Sequence, residues 1–498
     1  MSLPFPELSA DEAAALIGDG SVVGLGGFTP AGAPKAIPKA LAQRALREHA
    51  AGRPFGLSVI SGSSTGQSVD GELARARALN FRAPYQANAD LRAAINSSAT
   101  RFVDMDLSRV PQAARRGWFG KMDWAIIEAA SLTPAGEVLL TSGVGAAQTY
   151  CALADRVLIE LNARHPAALE GIHDLAEIPT APRRREIPIY SASDRIGAPL
   201  LALDPKKIAR VVRTDCDDEM YPFEAPQAVN LAIGRHVAEF LAAELKSSEL
   251  PAAFLPLQAG IGDVANAVLL SLGENTALPR FQLYAEVIQS TAIQLLKSGR
   301  IASASGSAFA VMPTVLREIY ADLDFFKSRT VLRPQEISNC GEVIQRLGVI
   351  AINTALEIDL CGNINSSHVL GQDMVNGIGG SGDFARNAHL SIFTTPSESR
   401  DRRISRIVPL VSHTDHTEHA VHVVVTEHGC ADLRGKCPRD RARLIVENCA
   451  HPDYRPALRD YLKLSAGGHT PQTLRAAFAL HEHFRLTGDM RGVDFSKF

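Results

Sequence analysis

Ser21-Val22-Val23-Gly24-Leu25-Gly26-Gly27-Phe28 decides the fold class. Its apolar part reads as a short buried strand, and the glycines let the backbone turn sharply before an amphipathic stretch, Ala36 to Ala50. Upstream, Ser9 with Glu12 three residues later is a capping box, opening a helix that Gly18 to Gly20 stop. Downstream, the apolar runs GLSVIS (56–61), DWAIIEAA (123–130) and DRVLIEL (155–161) alternate with helical patterns. Repeated β–α units of this kind predict an α/β fold on a mostly parallel sheet.

A chain of 498 residues is too long for one core, so two or three domains are expected. Around Asp204 to Gln227 the texture turns charged and proline-punctuated, which places a linker there. The helical candidate Val229 to Ser247 follows, and residues 251–273 repeat the logic of strand, glycine turn and helix. Domains are therefore expected at 1–225 and 226–498. In the second, RFQLYAEVIQ (280–289), GRIASASGSAFA (299–310), VIAINTALEIDL (349–360), LSIFTT (390–395) and AVHVVVTE (420–427) read as strands, and residues 437–450 as a late helix.

Composition excludes several function classes. Lys+Arg is 51 against Asp+Glu 54, and no long run of one sign draws the chain to nucleic acid or an anionic membrane. No stretch reaches the roughly 18 to 20 apolar residues that span a bilayer, and the acidic start does not read as a signal peptide. A cytoplasmic enzyme is expected. The seven cysteines show no C-x-x-C spacing, which argues against a disulfide scaffold and a zinc ribbon.

The first glycine loop is not a dinucleotide fingerprint, because Thr29 stands where G-x-G-x-x-G needs glycine, and no P-loop pattern occurs. Gln258-Ala259-Gly260-Ile261-Gly262 and the cluster Gly377 to Asp383 are better candidates for an anion, since successive glycines let amide N–H groups converge; both also read as plain tight turns. Within Leu283 to Gln289 an apolar strand carries Glu286 at its carboxyl end, the side of an open α/β sheet where ligands collect. A carboxylate there can attack an activated carbonyl, with Asn339 and the amides near Gly380 as donors for the developing charge; a helix-start charge or a salt-bridge partner is the plainer reading. His413, His416, His419 and His422 recur every three residues but run toward a strand, where such spacing alternates faces, so no metal site is expected.

These residues carry a resemblance. Residues 19–42, 126–137, 258–268, 285–289, 332–339, 362–371, 376–388 and 407–435 closely resemble the acetyl-CoA hydrolase/transferase family, class I CoA-transferases, nearly end to end. The resemblance implies two similar CoA-transferase-type α/β domains, usually in a homodimer, with coenzyme A as substrate and no permanently bound cofactor. It implies that Glu286 is the nucleophile, passing through an acyl-glutamyl anhydride and a glutamyl-CoA thioester, and that Asn339 and the Gly380 amide are oxyanion donors. Gln258, Ala259, Gly260, Ile261 and Gly262 match the CoA-binding turn, with Asn376 and Gly380 as further CoA contacts. Arg400 stands near the place of the family's lysine, a planar fork for a point charge. Ala285, Ser290 and Asp106 depart from the common pattern, the last replacing a histidine. The implied activity is transfer of CoA between a short-chain acyl-CoA of the succinyl-CoA or acetyl-CoA type and a carboxylate such as acetate; acetyl-CoA hydrolysis and a non-catalytic CoA-sensing protein are the alternatives.

Overall fold

The computed structural model describes residues 3–220, 226–465 and 467–498. The chain forms two compact units, one of Met1–Pro222, Gln282–Leu347 and Asn376–Asp383, the other of Phe223–Phe281, Gly348–Val375 and Phe384–Phe498. A single cut after residue 225 does not describe this partition. The reason is visible in the backbone of the first unit. Val144 N–H donates to Ser307 O (2.9 Å), Phe309 N–H to Ser142 O (2.8 Å), and Gln335 N–H to Gly145 O (3.0 Å), so residues 282–347 are tied to the amino-terminal sheet.

That sheet is the expected α/β core. The strand Val22–Leu25 pairs in parallel with Leu57–Ile60 on one side and Trp124–Leu132 on the other, in register Val23↔Val59 and Gly24↔Ala125. Leu79–Ala83 extends it beyond Leu57–Ile60, and Arg156–Asn162 pairs in parallel with Trp124–Leu132. The helix Ala36–Ala50 buries Ile37, Ala40, Leu41 and Ala45. This i, i+3, i+4, i+8 stripe is the apolar face the sheet covers. Ser9 caps the opening helix Ala10–Ala15 through its bond from Glu12 N–H (3.3 Å), and Glu12 returns a bond to Ser9 N–H (2.9 Å).

The linker expected over 204–227 is only partly a linker. Ile208–Thr214 is a strand paired in parallel with Arg156–Asn162, because Ile208, Val211 and Val212 give it apolar side chains to bury on both of its faces. Its residues 221–225 lie outside the described residues.

In the second unit the strands Leu257–Ala259, Ile350–Thr354, Leu390–Thr394 and Val423–Thr426 run parallel in that order, closed by the antiparallel Gly429–Asp432. Helices Ala228–Lys246, Asp263–Glu274 and Pro438–Cys449 belong to this unit. Phe393, Val424, Ile445, Val446 and Leu458 share its core. Among the described residues no helix is long and apolar enough to cross a membrane.

Candidate functional site

Residues 280–289 do not form one strand. The strand Phe281–Tyr284 ends, Ala285 and Glu286 bend, and Val287–Gln289 pairs in parallel with a different partner, Ala308–Ala310. Residues 299–310 break at the same level, between Ile301–Gly306 and Ala308–Ala310. The two breaks are stitched together by Ala285 N–H to Ser305 O (3.0 Å) and Ser307 N–H to Glu286 O (2.6 Å). Glu286 thus sits in a kink at the end of a strand, with its carboxyl beside Gly380.

Gly380 reaches the same point. A Cβ placed on it would lie 2.2 Å from Glu286 Oε1 and 2.4 Å from Asn339 Nδ2. Such an approach is open only to glycine. Asn339 follows the short helix Gln335–Ser338 and is fully buried; its Oδ1 accepts from Ser338 Oγ (3.0 Å), while Nδ2 closes no hydrogen bond. A buried amide donor left unpaired is an expensive arrangement.

The carboxyl of Glu286 makes no hydrogen bond or ion pair among the described residues. Burial pushes its pKa up to about 8, and the charge of Asp383 adds to the shift. Part of the residue stays accessible while the carboxyl itself is packed among protein atoms. Asp383, 7% exposed, accepts from Ser108 Oγ (2.6 Å) and Ser108 N–H (2.9 Å). Burial and then the charge of Asp106 push it up to about 7, against the lowering effect of the Ser108 bonds. Asp104 accepts from Ile378 N–H (2.9 Å) and fixes the glycine loop from the other side.

Glu286, Asn339 and Gly380 therefore converge in the first unit. The expected CoA-turn residues divide. Ile261, Gly262 and Arg400 line one cavity of about 450 Å³ in the second unit, together with Asn230, Arg402, Arg406 and Glu427. Gly262, at φ +122°, precedes the helix Asp263–Glu274. Gln258 and Ala259 are buried in the strand: Gln258 Oε1 accepts from Ile352 N–H (3.1 Å) and its Nε2 donates to Asn353 Oδ1 (3.3 Å). Gly260 N–H donates to Ile352 O (3.2 Å). Asn376 belongs to the first unit, where its Oδ1 accepts from Gly377 N–H (2.8 Å).

The histidine series disperses. His413 stacks on His368 with ring centres 3.9 Å apart, His416 packs on Phe393, and His422 Nδ1 accepts from Ser391 N–H (3.1 Å). Sequence reasoning passed over Ser108 and Asp383. Asp383 closes the glycine cluster and reads as an ordinary first-turn acid of the helix Ser381–Asn387; only the fold brings Ser108 to it.

Comparison with known proteins adds the family. Residues 3–220 match the acetyl-CoA hydrolase/transferase N-terminal domain and residues 316–462 the C-terminal domain. The chain is 46% identical to the propanoyl-CoA:succinate CoA transferase of Escherichia coli over 99% of this chain and 100% of that one. It is 44% identical to the succinyl-CoA:acetate CoA-transferase of Clostridium kluyveri (97% and 90%) and 37% to the acetyl-CoA hydrolase of Schizosaccharomyces pombe (95% and 94%). RipA from Yersinia pestis shares the fold at a TM-score of 0.71 and 22% identity, over 92% of this chain and 97% of that one. A kinked strand that presents a lone carboxylate, an unpaired amide beside it, and sequence identity running end to end lead to one assignment: the chain belongs to the acetyl-CoA hydrolase/transferase family.

Proposed function

We propose that this protein is an acyl-CoA:carboxylate CoA-transferase, exchanging CoA between a short-chain acyl-CoA of the succinyl-CoA or acetyl-CoA type and a carboxylate such as acetate. The observation that carries the reading is the convergence of Glu286 Oε1 and Asn339 Nδ2 on the bare Cα of Gly380. The Glu286 carboxylate attacks the thioester carbonyl, and the tetrahedral oxyanion takes hydrogen bonds from Asn339 Nδ2 and the Gly380 amide. The C–S bond breaks and thiolate departs, leaving an acyl-glutamyl anhydride. The thiolate then attacks the Glu286 carbonyl carbon, which releases the first acid as carboxylate and forms a glutamyl-CoA thioester. A second carboxylate reverses the sequence. No net proton is consumed, and water must be kept out because it would hydrolyse the anhydride.

The cavity of the second unit, with three arginines and the Ile261–Gly262 turn, suits a polyanionic tail, and we assign it to CoA. Arg400 would meet the phosphates as a fork, while Gln258, Ala259 and Gly260 would shape the turn from within the sheet, and Asn376 would hold the glycine cluster. In this reading 1–225 and 226–498 are the two family halves, CoA is a substrate with no resident cofactor or metal, and the protein works as a cytoplasmic homodimer without nucleic-acid or membrane partners.

Incubation with acyl-CoA, borohydride reduction and peptide mass spectrometry tests the relay: the adduct or reduction product is expected on the peptide containing Glu286, and a label elsewhere overturns the assignment. Turnover with and without added carboxylate separates the two activities named among its relatives. Parallel double-reciprocal lines for acyl-CoA and acceptor are expected; equal consumption of acyl-CoA in both conditions makes hydrolysis the activity, and no turnover at all leaves a CoA-sensing role.

A further inference from the structure

A single helical turn does not hold itself in place, because fixing its first turn is unfavourable without outside contacts. Gln335–Ser338 is such a helix, and the turn at its end carries Asn339. Cys340 N–H donates to Ile337 O (3.0 Å) and closes that turn around Asn339, which at φ −103° and ψ 13° takes the third position of a type I turn. The place of the Asn339 amide therefore depends on what fastens the turn from outside.

Two bonds fasten the front of the helix to the amino-terminal segment: Gln335 Nε2 donates to Leu107 O (2.8 Å), and Arg115 Nη1 to Glu336 Oε2 (2.6 Å). A third comes from the strand of the nucleophile. Tyr284 ends the strand Phe281–Tyr284 two residues before Glu286, and it is fully buried. Its hydroxyl donates to Ile337 O at 2.7 Å, two residues before Asn339. The Ile337 carbonyl thus accepts twice, once from within the turn and once from the strand, as its two lone pairs allow. Directly after the ring, Ala285 N–H is held by Ser305 O (3.0 Å), so the same short stretch is pinned on its backbone where Glu286 begins.

We propose that Tyr284 is a positioning residue of the transfer reaction: its hydroxyl sets the spacing between the Glu286 carboxylate and the Asn339 amide. The inference rests on the proposed roles of Glu286 as nucleophile and Asn339 as oxyanion donor. The carbon that Glu286 attacks is bonded to the oxygen that becomes the oxyanion, so the strand end sets where that oxygen lies and the turn sets where its donor lies. An error in the distance between the two elements is felt in full at this hydrogen bond. A misplacement of about 1 Å can cost on the order of 100-fold in rate. A hydrogen bond away from water, such as that of Tyr284, is well suited to hold the distance.

The test is a double-mutant cycle of Tyr284→Phe and Asn339→Ala, read by kcat, by KM for acyl-CoA, by borohydride trapping and by urea unfolding. Phenylalanine keeps the ring and removes one hydroxyl, and Ile337 O keeps its bond from Cys340 N–H, so the variant should fold. On the wild-type background kcat should fall about tenfold with KM unchanged, a smaller loss than removal of the donor itself. On the Asn339→Ala background the same change should alter kcat by less than about twofold, because no amide is left to aim. Equal losses on both backgrounds, or a Tyr284→Phe variant within about twofold of wild type in kcat, make Tyr284 a packing residue and overturn the proposal. A loss of kcat that matches the unfolded fraction under assay conditions does the same. If wild type traps nothing on Glu286, the nucleophile assignment falls and the proposal with it; trapping on Glu286 together with equal losses overturns the role of Tyr284 alone.

Discussion

Glu128 and Glu286 are two deeply packed glutamates of the first unit with opposite surroundings. Glu128 accepts from Lys35 Nζ (2.6 Å), Thr141 Oγ1 (2.8 Å) and Asn162 Nδ2 (2.8 Å), with His165 Nε2 at 3.3 Å. Burial alone would raise its pKa, but Lys35 first and then His165 outweigh burial and hold it at about 2. Lys35 also lies 2.9 Å from Asp218. Burial opposes its charge, yet the two carboxylates hold it well above the ordinary lysine range. Glu128, His165 and Asp218 bring ligand atoms close enough to hold a metal ion, but the Lys35 ammonium already lies between the two carboxylates. Glu286 has no cation and no donor among the described residues, and burial plus Asp383 push it to about 8. A carboxylate saturated with donors is locked and unreactive, whereas one deprived of them keeps its electron pair for a substrate.

The largest break in this contrast is Glu286→Gln. Exchange should fall by on the order of 10⁴-fold or more, as for loss of a covalent nucleophile. Stability should move the other way. Because the folded pKa lies above the unfolded one, ionisation of Glu286 opposes folding as pH rises from about 4.5 to about 8, so the glutamine variant should be more stable by roughly 1–3 kcal/mol at neutral pH and above. Urea unfolding at pH 5 and pH 8 measures this, and a variant less stable than wild type at pH 8 would erase the contrast.

Lys35→Met strikes the other pole. It leaves Glu128 and Asp218 buried without their cation, which should cost about 3–5 kcal/mol in urea unfolding. Unlike Glu286, Glu128 contributes stability above pH 4.5 that is lost as pH falls toward about 2, so this variant should also flatten the acid side of the stability curve. A cost below about 1 kcal/mol would mean that the cluster carries no net charge to compensate.

Asn339→Ala sharpens the reactive pole. It should lower kcat by on the order of 10²–10³ and leave KM for acyl-CoA nearly unchanged. A drop of less than about fivefold in a stably folded variant would assign Asn339 a structural role. The smallest effect is in wild type itself: kcat/KM should climb through neutral pH with its midpoint near 8, where Glu286 is half ionised, and level off about a unit above. A profile already flat from pH 5.5 upward would contradict the raised pKa.

The parallel sheet was legible in the sequence because it rests on local pattern, and the nearness of Glu286, Asn339 and Gly380 was signalled only by the long motifs that carry them. The kink at Ala285–Glu286 was not, since Phe281 to Gln289 is continuously apolar apart from a few positions and reads as one strand. What breaks it is the change of pairing partner at Val287–Gln289, a long-range fact. Gln258 looked like a ligand-facing loop residue for the same kind of reason: its bonds to Ile352 and Asn353 come from a strand about 94 residues away. Residues 35, 128, 165 and 218 carry no shared spacing, so the locked cluster had no local signal at all.

The partition of the chain also sets an order of events during synthesis. Thr141 to Gly145 must meet Ser307, Phe309 and Gln335, yet Phe223–Phe281 leaves the ribosome in between. At ordinary elongation rates the amino-terminal sheet waits on the order of ten seconds for these partners. The nascent chain therefore carries the 142–145 turn without its partners while a segment of the other unit is already in solution, and a holding chaperone has its longest opportunity there. For the same reason, expressing 1–225 and 226–498 as separate pieces cuts the first unit through its own core, and neither piece holds the complete set of contacts that closes around Glu286.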